Sequence, residues 1–349
     1  MELRRSLHNK SLADSKLSRR IYFPELDGLR FFAFLLVFIS HTNLFNTIEY
    51  LRFLHDFGWV GVDLFFALSA FLFTKLLLVE RQVSGSISFS KFYLRRVFRI
   101  WPAYYLFVVG IFLLFMLLHH SRASLDYPGI RMLGLMTFSD NIFSAFLGYN
   151  PIPMTAHLWT ISYEEQFYIF IPLLISMLSG WKVRGRILFL CAVSLVFFSI
   201  RAIMIVNQVL HPAIWVLPIT HFESIVLGMV IGFGGFDALA EMVRPWLLFI
   251  IGLACFSIIT LLPHIEKMSF WLFAFYGLVG LSTALVLQST IVSKSMKSFL
   301  SQYTLVYLGK RSYGLYLYHL FAIFLAGRLL KFLPESTLMK HSHSCWHYC

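Results

Sequence analysis

Arg30 and His41 lie eleven residues apart in the apolar stretch Leu29-Arg30-Phe31-Phe32-Ala33-Phe34-Leu35-Leu36-Val37-Phe38-Ile39-Ser40-His41. Eleven residues of α-helix make about three turns, so both side chains share a face, roughly 16 Å apart along the axis. An imidazole accepts and returns a proton near neutrality, which suits His41 to act as general base on a hydroxyl arriving from outside. Ionisable groups within lipid are expensive and turn toward a protein interior or a wet cavity. The plainer alternative is an arginine that snorkels to the interface and a histidine that ends a helix. Asp27 and Glu25 just upstream could orient Arg30, or could serve only as helix N-terminal charge.

Four further segments carry residues of the same kinds. Asp63, in Gly58-Trp59-Val60-Gly61-Val62-Asp63-Leu64-Phe65-Phe66, is expected at about the depth of His41, where a carboxylate could hold the imidazole tautomer; a solvated loop carboxylate is the alternative. Gly58 and Gly61 suggest close backbone approach or plain helix packing. Arg96 and Arg99, in Phe92-Tyr93-Leu94-Arg95-Arg96-Val97-Phe98-Arg99-Ile100-Trp101-Pro102, are three apart, so both can address one anion with forked hydrogen bonds. A phosphorylated cytoplasmic donor fits that anion, although membrane topology alone also explains the charges. Glu164 and Glu165 are adjacent carboxylates in an apolar span, at least one of which should face the bundle centre; Glu164 shares a face with Tyr168 and is expected near His41 and Asp63. Tyr316 and His319 in Ser312-Tyr313-Gly314-Leu315-Tyr316-Leu317-Tyr318-His319 are three apart, with His319 expected in the cytoplasmic half as a supporting hydrogen-bonding group. Arg201, His221 and Glu223 are candidates for lining a polar cavity, with no spacing to rank them.

The elements that must position these groups follow from composition. Of 349 residues, 58% are hydrophobic and 18% aromatic, and only 13% are charged; the mean hydropathy is +0.74. That excludes an ordinary soluble domain. Apolar runs near spanning length recur at about 29–48, 58–79, 101–118, 159–179, 187–207, 213–235, 245–262, 269–290 and 312–333, which predicts an all-α polytopic membrane helix bundle of about nine to ten transmembrane helices. The run 130–148 contains Arg131, Asp140 and Asn141 and reads as an amphipathic or re-entrant segment. The net charge of +12 is concentrated between spans and in the N-terminal tail, a topology signature that argues against nucleic acid as a partner. It predicts a cytoplasmic N-terminus, with no removable signal peptide.

The expected organisation is a cytoplasmic tail over 1–20, a membrane domain over 21–335 and a C-terminal tail over 336–349. Cys191 and Cys255 read as packing residues. The tail His341-Ser342-His343-Ser344-Cys345-Trp346-His347-Tyr348-Cys349 has ligand residue types but no spacing for a closed zinc site, so no metal is expected.

These blocks, in this order, resemble the acyltransferase family 3 of integral membrane acyltransferases, whose best-known members O-acetylate bacterial surface polysaccharides. The resemblance rests on Leu-Asp-Gly-Leu-Arg with its Arg-ten-His spacing, Gly-Val-Asp-Leu-Phe-Phe-Ala-Leu-Ser-Ala-Phe-Leu, Phe-Tyr-Leu-Arg-Arg-Val-Phe-Arg-Ile-Trp-Pro, Trp-Thr-Ile-Ser-Tyr-Glu-Glu-Gln-Phe-Tyr and Ser-Tyr-Gly-Leu-Tyr-Leu-Tyr-His, and spans residues 22 to about 333. The chain has Ser69-Ala70-Phe71 where members usually read Leu-Ser-Gly-Phe, and Trp159-Thr160-Ile161 where they read Trp-Ser-Leu. The family is described with ten spans and a cytoplasmic C-terminus, whereas the count above leaves that terminus outside.

The resemblance implies a bacterial cytoplasmic (inner) membrane enzyme with no tightly bound cofactor and acetyl-CoA, or another acyl-CoA, as donor. The donor phosphates would lie on Arg96 and Arg99, with Arg30 further along the route. His41, supported by Asp63 or Glu164, would deprotonate a hydroxyl of a carbohydrate or lipid-linked sugar acceptor, or be acetylated transiently. No appended soluble domain is visible, so a relay partner would be a separate polysaccharide-assembly protein. A transporter or flippase of a lipid-linked sugar also needs intramembrane charges. It has no reason to set a basic site at one face and a histidine–carboxylate cluster at the other.

Overall fold

Helix starts and stops follow local chemistry. In the computed structural model, which describes residues 22–42, 51–118 and 128–330, the first helix, α1 (Pro24–Ser40), opens with proline at its first turn followed by Glu25 and Asp27. Proline there costs no hydrogen bond, and acidic residues suit the positive end of the helix dipole. A short helix α2 (Arg52–Phe57) leads into α3 (Val60–Ser84), which stops at Gly85 with φ 75°. Glycine adopts that left-handed stop without a Cβ penalty.

The chain continues through α4 (Phe89–Leu118), the short pair α5 (Pro128–Met136) and α6 (Asp140–Leu147), and a 3-10 turn at Ala156–Leu158 that opens α7 (Trp159–Leu178). Then come α8 (Val183–Val206), α9 (Ala213–Val216), α10 (Glu223–Gly232), α11 (Asp237–Met242), α12 (Pro245–Thr260) and α13 (Leu272–Val292). Three helices close the bundle: α14 (Lys294–Leu300), α15 (Tyr303–Lys310) and α16 (Ser312–Leu330). Among the described residues there is no strand.

Four of these helices are long and apolar enough to cross a membrane: α3, α4 (over Phe89–Leu117), α8 and α13. They differ in what covers them. The apolar windows of α3 and α13 are 72% and 67% buried inside the protein, whereas that of α8 is 17% buried and presents Leu188, Leu195, Val196 and Ile203 outward. Such a face suits hydrocarbon and not water. The chain is a membrane protein.

The expected nine to ten spans are not confirmed: among the described residues these four helices have the length and apolarity, and other expected spans fall short for identifiable reasons. The expected span 213–235 is broken into α9 and α10 by a turn containing Pro218, with Arg201, His221 and Glu223 gathered around it. The helix α1 has 17 residues and α12 has 16. The helix α7 has 20 residues, but Glu164 and Glu165 lower its apolarity. The run 130–148 is not a span: α5 and α6 fold against each other, and Arg131, Asp140 and Asn141 are all buried. Arg131 donates to the Gly148 carbonyl at 2.9 Å and lies 3.8 Å from Asp140, which accepts from Asn150 at 2.6 Å. The tails 1–20 and 336–349, including the Cys/His-rich end, lie outside the described residues.

Backbones approach closely around α1. A Cβ on Gly61 of α3 would overlap the Ala33 carbonyl, and one on Gly309 of α15 would overlap the Asp27 carbonyl. Both contacts are with backbone, which cannot swing aside. They set α3 and α15 directly on α1, so that the face bearing Arg30 and His41 is turned into the bundle.

Candidate functional site

Five helices leave a cavity between them that is partly open to solvent. Arg30 enters it from α1, Ser69 from α3, Arg96 and Arg99 from α4, Glu164 and Tyr168 from α7, and Tyr313 and Tyr316 from α16. Three cations, one carboxylate and three phenols therefore converge from segments as far apart in sequence as residues 30 and 316.

Each cation is held differently. Arg30 donates to Asp27 Oδ1 at 3.1 Å, and Tyr22 donates to the other carboxylate oxygen at 2.9 Å, so the upstream acid does orient Arg30. The Arg96 guanidinium lies 4.7 Å from the Phe73 ring centroid, and its Nε has no partner. Among the described residues no carboxylate comes within ion-pair distance of Arg96 or Arg99. Two arginines one helical turn apart, facing a cavity with no carboxylate at ion-pair distance from either, form a place for an anion. The helix itself is marked there: Pro102 lies one turn beyond Arg99 and Trp101 donates to Glu165 Oε2 at 3.0 Å.

The carboxylate is where the expectation changes. Glu164 accepts from Tyr168 at 2.7 Å and from Ser69 at 3.3 Å, and it faces the arginines. It does not meet His41. Nor does Asp63, which accepts from Ser224 at 2.6 Å and from His221 Nε2 at 2.8 Å. The residue types Ser, His and Asp are all present there, but the wiring is not that of a hydrolase triad. Serine bonds the carboxylate instead of the imidazole, and His221 Nδ1 faces the Trp215 carbonyl at 3.0 Å, so no ring nitrogen is left to take a serine proton. Arg201 and Glu223 pair at 2.5 Å beside it, with Arg201 also donating to the Thr220 carbonyl. These groups lock the turn between α9 and α10, and line no part of the cavity.

His41 has other company. Its Nδ1 lies 2.8 Å from the Val37 carbonyl. A carbonyl can only accept, so Nδ1 carries the hydrogen and Nε2 keeps its lone pair. The His319 ring packs edge-on against His41 with centroids 4.9 Å apart. His319 is thus level with His41, against the expectation of a place in the other half. The reason is the inserted α15: α16 begins at the level of Arg30, with Ser312 and Tyr313 beside it in the cavity wall, instead of at the start of α1. His157 lies on the far side of His319 at 4.8 Å. Tyr316 joins the two regions: it lines the cavity, its hydroxyl is 2.6 Å from Thr160 Oγ1 and 3.2 Å from the His157 carbonyl, and its ring is 5.5 Å from His319.

His157 went unnoticed in the sequence because a single histidine before an apolar run has no spacing partner. Its position two residues ahead of Trp159, at the mouth of the helix carrying Glu164, was the available signal.

The fold and site define an all-helical membrane bundle with an arginine-lined cavity among five helices. The chain belongs to the acyltransferase family, whose acyltransferase domain matches residues 23–343. Relatives carry more specific names. A protein of Staphylococcus aureus strain COL named "Putative O-acetyltransferase" is 30% identical over 330 residues, covering 89% of this chain and 52% of that protein. The O-acetyltransferase OatA of Staphylococcus aureus strain NCTC 8325 is 29% identical over 315 residues, covering 85% of this chain and 50% of OatA. The chain spans about half the length of these curated relatives. No solved structure matches.

Proposed function

We propose that the chain is a membrane-bound O-acyltransferase that moves an acetyl or other short acyl group from a cytoplasmic acyl-CoA, acetyl-CoA first, to a hydroxyl of a surface-polysaccharide or lipid-linked sugar. The observation that carries this reading is the cavity itself. Arg30, Arg96 and Arg99 face one space that Tyr316 connects to the His41 region. Phosphates of the donor neutralise the unpaired arginines, and its thioester arm runs between α3, α7 and α16 toward Tyr316.

His41 Nε2 takes the proton of the acceptor hydroxyl as the oxygen attacks the thioester carbonyl carbon. The carbon–sulfur bond then breaks, and the departing thiolate recovers that proton as a thiol. Positioned general-base catalysis of this kind contributes about 10²–10⁴ in rate. Glu164, held by Tyr168 and Ser69, serves the donor end, where it sets the charge and shape of the cavity beside the arginines. The relatives' names favour an acetyl group and an oxygen acceptor. The clusters Lys91 to Arg99, Lys182 to Arg186 and Lys294 to Arg311 favour a cytoplasmic N-terminus in a bacterial cytoplasmic membrane.

The test is the O-acetyl content of surface glycan, read by proton NMR, in a deletion strain complemented with wild type or His41→Ala at matched membrane levels. Wild type restores the acetyl signals and His41→Ala does not. Full restoration by His41→Ala overturns His41 as the base.

A further inference from the structure

The cavity has two unlike ends. At one, Phe73 lies 4.7 Å from the Arg96 guanidinium and edge-on to Tyr168, with ring centroids 5.1 Å apart, and Arg30 and Arg99 share the wall. At the other, Phe65 meets Tyr316 edge-on with centroids 6.1 Å apart, beside Val62, Thr160 and Ile161. Phe65 and Phe73 are eight residues apart on α3, which separates the two ends by about 12 Å along that helix. Thr160 and Tyr168 are likewise eight apart on α7, and Ser69 and Glu164 lie midway.

The far end is apolar, and its hydroxyls are committed. Val62 and Ile161 are buried. The Tyr316 hydroxyl is 2.6 Å from Thr160 Oγ1 and 3.2 Å from the His157 carbonyl, to which Thr160 also donates at 2.9 Å. The His157 and His319 rings pack against Tyr316 at centroid distances of 5.4 and 5.5 Å, so bonds and packing together hold its ring in place. Phe66 is held as well, stacked on Tyr163 with centroids 4.3 Å apart. A phosphate finds its partners at the arginine end and none here; a hydrocarbon end fits the far wall.

We propose that Phe65 and Tyr316 set the acyl specificity: they form a stop that admits a two-carbon acyl group and excludes butyryl and longer chains. This rests on the reading of the cavity as the acyl-CoA site. With the donor phosphates on the arginines, the acyl end of the thioester arm points at Phe65 and Tyr316. The methyl of an acetyl group ends against the two rings, and each further methylene has to displace one of them. Close packing there turns extra carbon into strain instead of extra burial. Apolar pockets discriminate by about 10- to 200-fold per methylene.

The experiment uses inside-out membrane vesicles of the complemented deletion strain, which keep the native acceptor and present the donor side. Radiolabelled acetyl-CoA, butyryl-CoA and hexanoyl-CoA are compared on wild type, Phe65→Ala, Phe65→Leu and Phe73→Leu at matched membrane levels. Wild type should prefer acetyl-CoA over butyryl-CoA by about twentyfold or more in kcat/KM. Phe65→Ala should raise the butyryl-to-acetyl ratio about tenfold or more, Phe65→Leu by a smaller factor above about twofold, and Phe73→Leu, at the arginine end, should leave the ratio within about twofold of wild type. Equal use of acetyl and butyryl by wild type, or an unchanged ratio in the Phe65 variants, overturns the stop. A shift in Phe73→Leu as large as that in Phe65→Ala overturns it too, because the selection would then not lie at the far end. Should Phe65→Ala not accumulate, Phe65→Leu carries the comparison. If wild type labels the acceptor from none of the three thioesters, the donor reading itself fails and the stop falls with it.

Discussion

Arg201 and Arg96 are both arginines set in apolar helices, and they end in opposite states. Arg201 is 1% exposed, paired to Glu223 at 2.5 Å, bonded to the Thr220 carbonyl, and flanked by Phe198, Phe222 and Tyr276. Arg96 rests on Phe73, has no carboxylate at ion-pair distance among the described residues, and lines an open cavity with Arg30 and Arg99. The first region has matched its charges, and removing one partner strands the other. The second has left cations unmatched at a space that a ligand can enter. The proposed donor site therefore rests on charge left unmatched beside a cavity, and not on charge within apolar helices as such.

The largest expected effect is on stability in the matched region. Arg201→Ala leaves the largely covered Glu223 without its cation, a change of about 3 kcal/mol, the lower end for a buried pair. Membrane accumulation and thermal unfolding should collapse; near-normal unfolding would show that the pair is not structural. Next comes the unmatched region. Arg96→Ala or Arg99→Ala should leave unfolding within a few degrees of wild type and raise KM for acetyl-CoA about 10- to 100-fold, the scale of one lost charge-assisted bond of about 1.5–3 kcal/mol. An unchanged KM in both would remove the donor from this cavity.

Asp63→Asn divides the regions most sharply. Weakening the bonds from Ser224 and His221 should lower stability by about 1–3 kcal/mol. Transfer per folded molecule should stay near wild type; a hundredfold fall would instead restore Asp63 as the partner of His41. The smallest effect is expected from Ser69→Ala. Its 3.3 Å bond to Glu164 is long, so kcat/KM should drop only a few-fold, corresponding to about 1 kcal/mol or less, with unfolding unchanged.

Much of the arginine-lined cavity was readable along the chain. Arg96 and Arg99 are one turn apart, Glu164 and Tyr168 are one turn apart, and Asp27 precedes Arg30 by one turn; helical periodicity suffices for each pair. The partnerships of Asp63, Glu164, His157 and His319 were not readable. Each depends on which helix lies opposite, and on axial offsets that short inserted elements impose. The inserted α15 brings His319 level with His41, and the broken span between α9 and α10 delivers His221 to Asp63 before any other imidazole can reach it.

By itself, the sequence determined that this is an all-helical membrane protein with an arginine pair, a tyrosine-held carboxylate and a lone imidazole in apolar surroundings. Those properties follow from composition and the 3.6-residue repeat, which act within one helix. Tertiary structure alone decided which charges are matched and which are left facing the cavity. Matching needs a partner across a helix interface, and close backbone contacts such as Gly61 on Ala33 and Gly309 on Asp27 set those interfaces. Moving such a contact by one turn, about 5.4 Å, would exchange one partner for another.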